Sequence, residues 1–146
     1  MQRLKYGHAA RVAGPLGAAA AGRLVEMRAH LREAVLVPVP LHPVRERERG
    51  YNQAMLLAHA LAPAGMRVES LLIRGRMTTK QHKLDRAARA RNLAGAFRLA
   101  RGGPAPPTVV IVDDIMTTGA TLEACASVLK RAGARRVYGF TVAREV

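Results

Sequence analysis

Four consecutive aliphatic residues, Val109-Val110-Ile111-Val112, run directly into two carboxylates, Asp113 and Asp114. A strand with one wet face alternates apolar and polar residues. This one does not, so both of its faces must be covered, as in the interior of a parallel sheet. Parallel neighbours need long crossover connections, and the flanking sequence supplies them. Thr118 to Ala132 reads as a helix with Leu122, Cys125, Ala126 and Leu129 on one face and Gly133 as its stop, and Val137 to Val142 reads as the last strand.

Upstream, Ala34 to Pro40 is β-branched and bounded by prolines, a buried strand whose last residues leave the ladder. Asn52 to Leu61 follows as a helix with Ala54, Leu57, Ala58 and Leu61 inward, then Val68 to Ile73 as a second strand. Asp85 to Arg91 reads as a short helix, Ala96 to Leu99 as a third strand, and residues 102–107 as a loop. Leu24, Met27 and Leu31 have helical spacing within a helical segment from Leu4 to Arg32, broken near Gly14-Pro15. Strands alternating with helices predict an α/β domain, a mostly parallel sheet flanked by helices with right-handed crossovers. The 146 residues suit one domain, with 1–32 as a helical hood segment and 33–146 as the core.

Composition narrows the function classes. Lys plus Arg is 24 against 10 for Asp plus Glu, a formal net charge of +14, so the expected partners are anionic: phosphorylated small molecules, nucleic acid or acidic surfaces. A single cysteine, Cys125, excludes a disulfide framework or a Cys-based zinc site within this sequence, and reads as a small buried helix residue. No apolar run approaches the ~18 residues of a membrane span. The N-terminus shows no charged-then-apolar secretory pattern, so a cytoplasmic location is expected.

The chemistry lies where the aliphatic run ends. Ligands of open α/β sheets bind outside the carboxyl ends of the strands. After Asp113 and Asp114 come Thr117-Thr118-Gly119-Ala120-Thr121 at the start of a helix. Helix N-terminal amides, three hydroxyls and a glycine that admits close backbone approach suit a monophosphate. Adjacent acids repel phosphate but accept hydrogen bonds from vicinal hydroxyls, and they attract Mg²⁺ that keeps its waters. Together they point to a sugar phosphate. Neither a Walker A motif nor a Gly-x-Gly-x-x-Gly fingerprint occurs.

These residues resemble the 5-phosphoribosyl 1-pyrophosphate (PRPP) signature of type I phosphoribosyltransferases. The similarity extends to the ComF competence family, also called GntX-like. It runs through Leu4-Lys5-Tyr6, Val37-Pro38-Val39-Pro40-Leu41-His42-Pro43 and Arg49-Gly50-Tyr51-Asn52-Gln53. It continues through Arg74 with Thr78 and Gln81, Arg89 with Asn92, Ala96-Phe97, the signature and Gly133. The resemblance implies a type I phosphoribosyltransferase fold. Asp113 and Asp114 would be the catalytic acids, contacting the ribose hydroxyls and holding Mg²⁺ indirectly. Thr117, Thr118, Gly119, Ala120 and Thr121 would hold the 5′-phosphate. Leu41, His42, Pro43, Val44 and Arg45 would form the pyrophosphate loop. A mobile loop carrying Arg74, Lys80, Gln81 and Arg89 would close over the site.

Two departures stand out. Members of the family usually begin with a Cys-rich zinc finger, whereas Cys125 is the one cysteine of this sequence; and Lys83 and Ala88 stand where Gly and Glu are expected. Two functions follow from the resemblance. One is transfer of phosphoribose from PRPP, with Mg²⁺, to a nitrogen acceptor, with a role in natural competence. The other is a non-catalytic PRPP-binding or DNA-uptake accessory protein that meets single-stranded DNA or competence proteins through its basic surface. With no aromatic residue between Tyr51 and Phe97, such DNA binding would be electrostatic rather than by base stacking. Type I folds often form homodimers, which adds a second copy to the expected partners.

Overall fold

The computed structural model describes residue 31 and residues 33–62, 65–76 and 86–144. Apart from residue 31, the segment 4–32 read as helical lies outside the described residues, as do the loop residues Lys80, Gln81 and Lys83. Strands β1 (Val35–Pro38), β2 (Arg67–Val68), β5 (Thr108–Met116) and β6 (Arg136–Arg144) form a parallel sheet in the order β2-β1-β5-β6. Strands β3 (Leu72–Arg74) and β4 (Phe97–Leu99) pair separately as an antiparallel ribbon. The helices are α1 (Pro43–Arg49), α2 (Gln53–Leu61), α3 (Arg86–Leu93) and α4 (Ala120–Arg131).

The aliphatic run occupies the middle of the sheet, as its lack of alternation requires. Val109, Val110, Ile111 and Val112 are all buried, paired with β1 on one edge and β6 on the other. Successive side chains of a strand point to opposite faces. Val35, Val37, Val109 and Ile111 therefore join Cys125 and Leu129 of α4, while Leu36, Val110 and Val112 join Leu57, Ala58 and Leu61 of α2. The β3–β4 ribbon lies on the α4 face, where Leu72 and Phe97 enter the same core and α3 contributes Leu93. At Gly139 a side chain would meet Leu122 Cδ1 at 3.1 Å, so the bare backbone there lets α4 close on β6.

Several boundaries differ from the sequence reading. The run Val68 to Ile73 is two strands in two sheets, not one. Glu69 donates its N–H to the Leu36 carbonyl (2.9 Å), Leu71 donates to the Glu69 carbonyl (3.0 Å), and the chain turns out of the sheet at this polar Glu-Ser step. Ala96 to Leu99 likewise belongs to the ribbon rather than to the main sheet. At Ala34 to Pro40 the last residues leave the ladder as read from the prolines: the strand stops at Pro38, and Val39 still donates to the Val112 carbonyl at 2.9 Å. β5 runs four residues past the aliphatic run, because β6 pairs with it as far as Met116.

The strand order changes direction between β1 and β5. β2 lies beyond β1, and β6 lies beyond β5. The loops after β1 and β5 therefore diverge and open a crevice at the carboxyl ends of the two central strands. Among the described residues, no helix is long and apolar enough to cross a membrane. Truncating the centre of this core, Ile111→Ala, is expected to cost about 2–5 kcal/mol, read as a lower denaturant midpoint at unchanged slope in chemical unfolding.

Candidate functional site

Asp113 and Asp114 stand where β5 leaves full burial, at the crevice between β1 and β5. Each carboxylate is held by the backbone that follows it. Asp114 N–H donates to Asp113 Oδ1 and Ile115 N–H donates to Asp114 Oδ1, both at 2.9 Å. Burial, reinforced by repulsion from Asp114, pushes the Asp113 carboxyl up to about 7, against an opposing pull from the Arg74 guanidinium.

The turn into α4 runs through Thr117, Thr118 and Gly119. Gly119 occupies the N-cap with φ +81, a conformation that disfavours side chains, and provides no side-chain cap of its own. Thr118 Oγ1 accepts from Ala120 N–H at 3.4 Å, and Glu123 N–H donates to the Gly119 carbonyl. Thr117 is exposed, whereas Thr118 and Thr121 are half-buried. The positive end of the α4 dipole lies here, beside the two acids.

The segment expected as a pyrophosphate loop is shorter than the sequence implies. Leu41 is its last residue before the helix. His42 is the N-cap of α1, and Pro43, Val44 and Arg45 form its first turn. Pro43 at the first helical position needs no hydrogen-bond acceptor, which explains why the chain coils at once. Asn52 braces the same region. Its Nδ2 donates to the Val39 carbonyl (3.0 Å), and its Oδ1 caps α2 by accepting from Ala54 and Met55.

Arg74 is located differently from the expectation of a mobile loop. It sits on β3, opposite Phe97 of β4, with its guanidinium 5.4 Å from the Phe97 ring centroid. Its pKa is lowered, first by burial and further by Arg45, while Cys125 and Asp113 act in the opposite direction. Arg74 thus brings together residues from β3, α1, β5 and α4 that lie far apart in the chain. Its place directly after the apolar pair Leu72-Ile73 was the available sign that it ends a strand. Arg89 lies on α3, and Arg76 Nη2 donates to the Asn92 carbonyl at 2.6 Å. Cys125 is fully buried and its thiol is pushed up to about 12, chiefly by burial, so it serves as core rather than as a nucleophile.

A phosphoribosyl transferase domain pattern matches residues 73–145, from the end of β3 through the signature to the end of β6. The chain belongs to the phosphoribosyl transferase domain family. Within it, the ComF competence proteins are its kin. It is 36% identical over 121 residues to competence protein F of Haemophilus influenzae, covering 78% of this chain and 51% of that protein. It is 42% identical over 112 residues to DNA utilization protein YhgH of Salmonella typhimurium, covering 75% and 48%. The chain spans about half the length of these curated relatives. The fold is also that of the Trypanosoma cruzi hypoxanthine phosphoribosyl transferase, with a TM-score of 0.55, 15% identity, and coverage of 93% of this chain and 75% of that one.

The raised Asp113 has a pH consequence. Unfolded Asp113 releases its proton near the ordinary value of 3.8, while the folded protein retains it up to about 7. Folding therefore takes up a proton between these values, and the contribution of this group to stability falls as pH rises through that window. Asp113→Asn keeps an acceptor for Asp114 N–H and removes the charge. In Mg²⁺-free buffer its unfolding free energy relative to wild type, read by chemical denaturation, is expected to rise between about pH 4 and pH 8, by a few kcal/mol at most. A constant difference across that range would contradict the raised ionisation.

Proposed function

We propose that this domain binds PRPP with Mg²⁺ and transfers its phosphoribosyl group to a nitrogen acceptor. The carrying observation is the convergence, at the carboxyl ends of the central strands, of paired acids, a Thr-Gly helix turn and the Arg45–Arg74 guanidinium pair. The two acids would accept hydrogen bonds from the ribose hydroxyls. The turn from Thr117 to Thr121 would receive the 5′-phosphate. Leu41 to Arg45, with Arg74 behind them, would face the pyrophosphate. Lys80, Gln81 and Arg89 complete the proposed closure, with its charge from Lys80 and Arg89, and the cytoplasm is its proposed location.

In the reaction, the acceptor nitrogen forms a bond to the anomeric carbon as the bond to the pyrophosphate oxygen breaks. Pyrophosphate departs with the electron pair, and the proton lost from nitrogen passes to solvent. Positive charge develops on the sugar near Asp113 and Asp114, and negative charge on the leaving group near Arg45 and Arg74. The donor set suits Mg²⁺, since adjacent carboxylates are hard oxygen ligands and their mutual repulsion favours a cation. Bound there, Mg²⁺ would neutralise charge on the leaving pyrophosphate.

Calorimetric titration of PRPP with and without Mg²⁺ tests this reading. Wild type is expected to bind in a Mg²⁺-dependent way, and Asp113→Asn with Asp114→Asn to weaken binding at least about 100-fold. Undiminished binding by a folded double mutant would refute the assignment.

The relatives' names, competence protein F and DNA utilization protein, favour a second reading in which the basic surface serves DNA uptake. The net charge of +14 and helix α3, Arg86-Ala87-Ala88-Arg89-Ala90-Arg91-Asn92-Leu93, supply the electrostatics. Affinity for a fluorescent single-stranded oligonucleotide should then fall with salt, with a log–log slope of about −0.7 per phosphate contacted. A complex that survives high salt would exclude this mode.

A further inference from the structure

Helix α1 has seven residues, Pro43 to Arg49, and none of them is buried. A helix this short is marginal by itself, and most helices rely on a packed face that α1 lacks. Its ends are well secured instead. His42 has an extended backbone (φ −64, ψ 139), and its Nδ1 accepts from Val44 N–H at 3.3 Å. Gly50 closes the other end in the left-handed conformation, φ +82, donating to the Glu46 carbonyl at 2.7 Å. Arg49 Nη1 donates to Gln53 Oε1 at 3.3 Å and ties the last turn to α2. Glu46 in the first turn and Arg47 and Arg49 in the last match the helix dipole.

The residue of this helix assigned above to the pyrophosphate segment is Arg45. It is half-buried, whereas Glu46, Arg47 and Glu48 are exposed, and it lies close enough to Arg74 to oppose its charge. Where α1 sits therefore decides where Arg45 sits. The capping bond commits Nδ1 of His42 to the helix.

We propose that His42 serves the site as the cap that positions α1 and, through it, Arg45, rather than as a ligand to the bound anion. The inference rests on the reading of Leu41 to Arg45 as the pyrophosphate segment. It makes His42 a positioning residue, and it makes asparagine its natural replacement, because Asn is among the strongest N-caps and its Oδ1 can accept where Nδ1 does.

Two measurements test it on the whole chain. The first is hydrogen–deuterium exchange of the peptide spanning α1 without ligand, in wild type, His42→Ala and His42→Asn. His42→Ala is expected to speed exchange about fivefold, and His42→Asn to restore protection. Unchanged exchange in His42→Ala would overturn the cap. The second is titration of Mg²⁺-pyrophosphate into wild type, His42→Ala, His42→Asn, Arg45→Ala and the His42→Ala/Arg45→Ala pair. If His42 acts through Arg45, the double variant binds no more weakly than Arg45→Ala alone, and His42→Asn regains most of the affinity. Additive losses, or failure of Asn to rescue, would make His42 a ligand and overturn the proposal. Wild type that binds no pyrophosphate would overturn the pyrophosphate reading and the role given to Arg45, while the exchange data would still decide the cap.

Discussion

A parallel strand covered on both faces can offer chemistry only at its ends. β5 is such a strand, with four aliphatic residues sealed between α4 and α2 and hydrogen-bonded on both edges. No side chain along its middle can meet a ligand, so the change from Val112 to Asp113 marks the border between core and site. The reversal of strand order beside it opens a crevice at the end of the strand, where the acids stand. Every other element of the site is held relative to this strand. Val39 bonds to Val112, Asn52 bonds to Val39, and α4 covers the β5 face that bears Val109 and Ile111.

The charges at that border sit in environments that disfavour them. Asp113 is driven toward its neutral form, and Arg74 is desolvated near a second guanidinium. Such groups are costly in a folded protein that has nothing bound between them. Their neighbours offset part of the cost: Phe97 lies under the Arg74 guanidinium, and backbone amides donate to both carboxylates. The surrounding aliphatic core supplies the rest of the stability that such a site requires.

The parts legible in the sequence were those set by local pattern. The unbroken run at Val109 to Val112, the inward faces of α2 and α4 and the buried place of Cys125 follow from spacing and residue type alone. The departures in strand pairing involve partners distant in the chain. Nothing local distinguishes Val68 from Leu72, yet one pairs with Leu36 and the other with Leu99. Arg74 reads as one of several arginines in a basic stretch until Phe97 is placed opposite it. The coil at Pro43 had a local signature, proline after a capping residue, but the alternating charges of Arg45 to Arg49 leave no apolar face by which to recognise a helix.

The contact between Gly139 and Leu122 acts as a spacer of zero thickness. Helix α4 rests on β6 with only a hydrogen atom between backbone and leucine at that point, so the helix lies as near the sheet as its own side chains permit. The same helix begins at Ala120, in the turn that faces the crevice. Gly139, two positions before Thr141, the register partner of Asp113, therefore gauges how far that turn stands from the acids. Substitutions at Gly139 would shim the helix outward and alter the clearance available to whatever the turn receives, giving a remote and purely mechanical handle on the fit of the site.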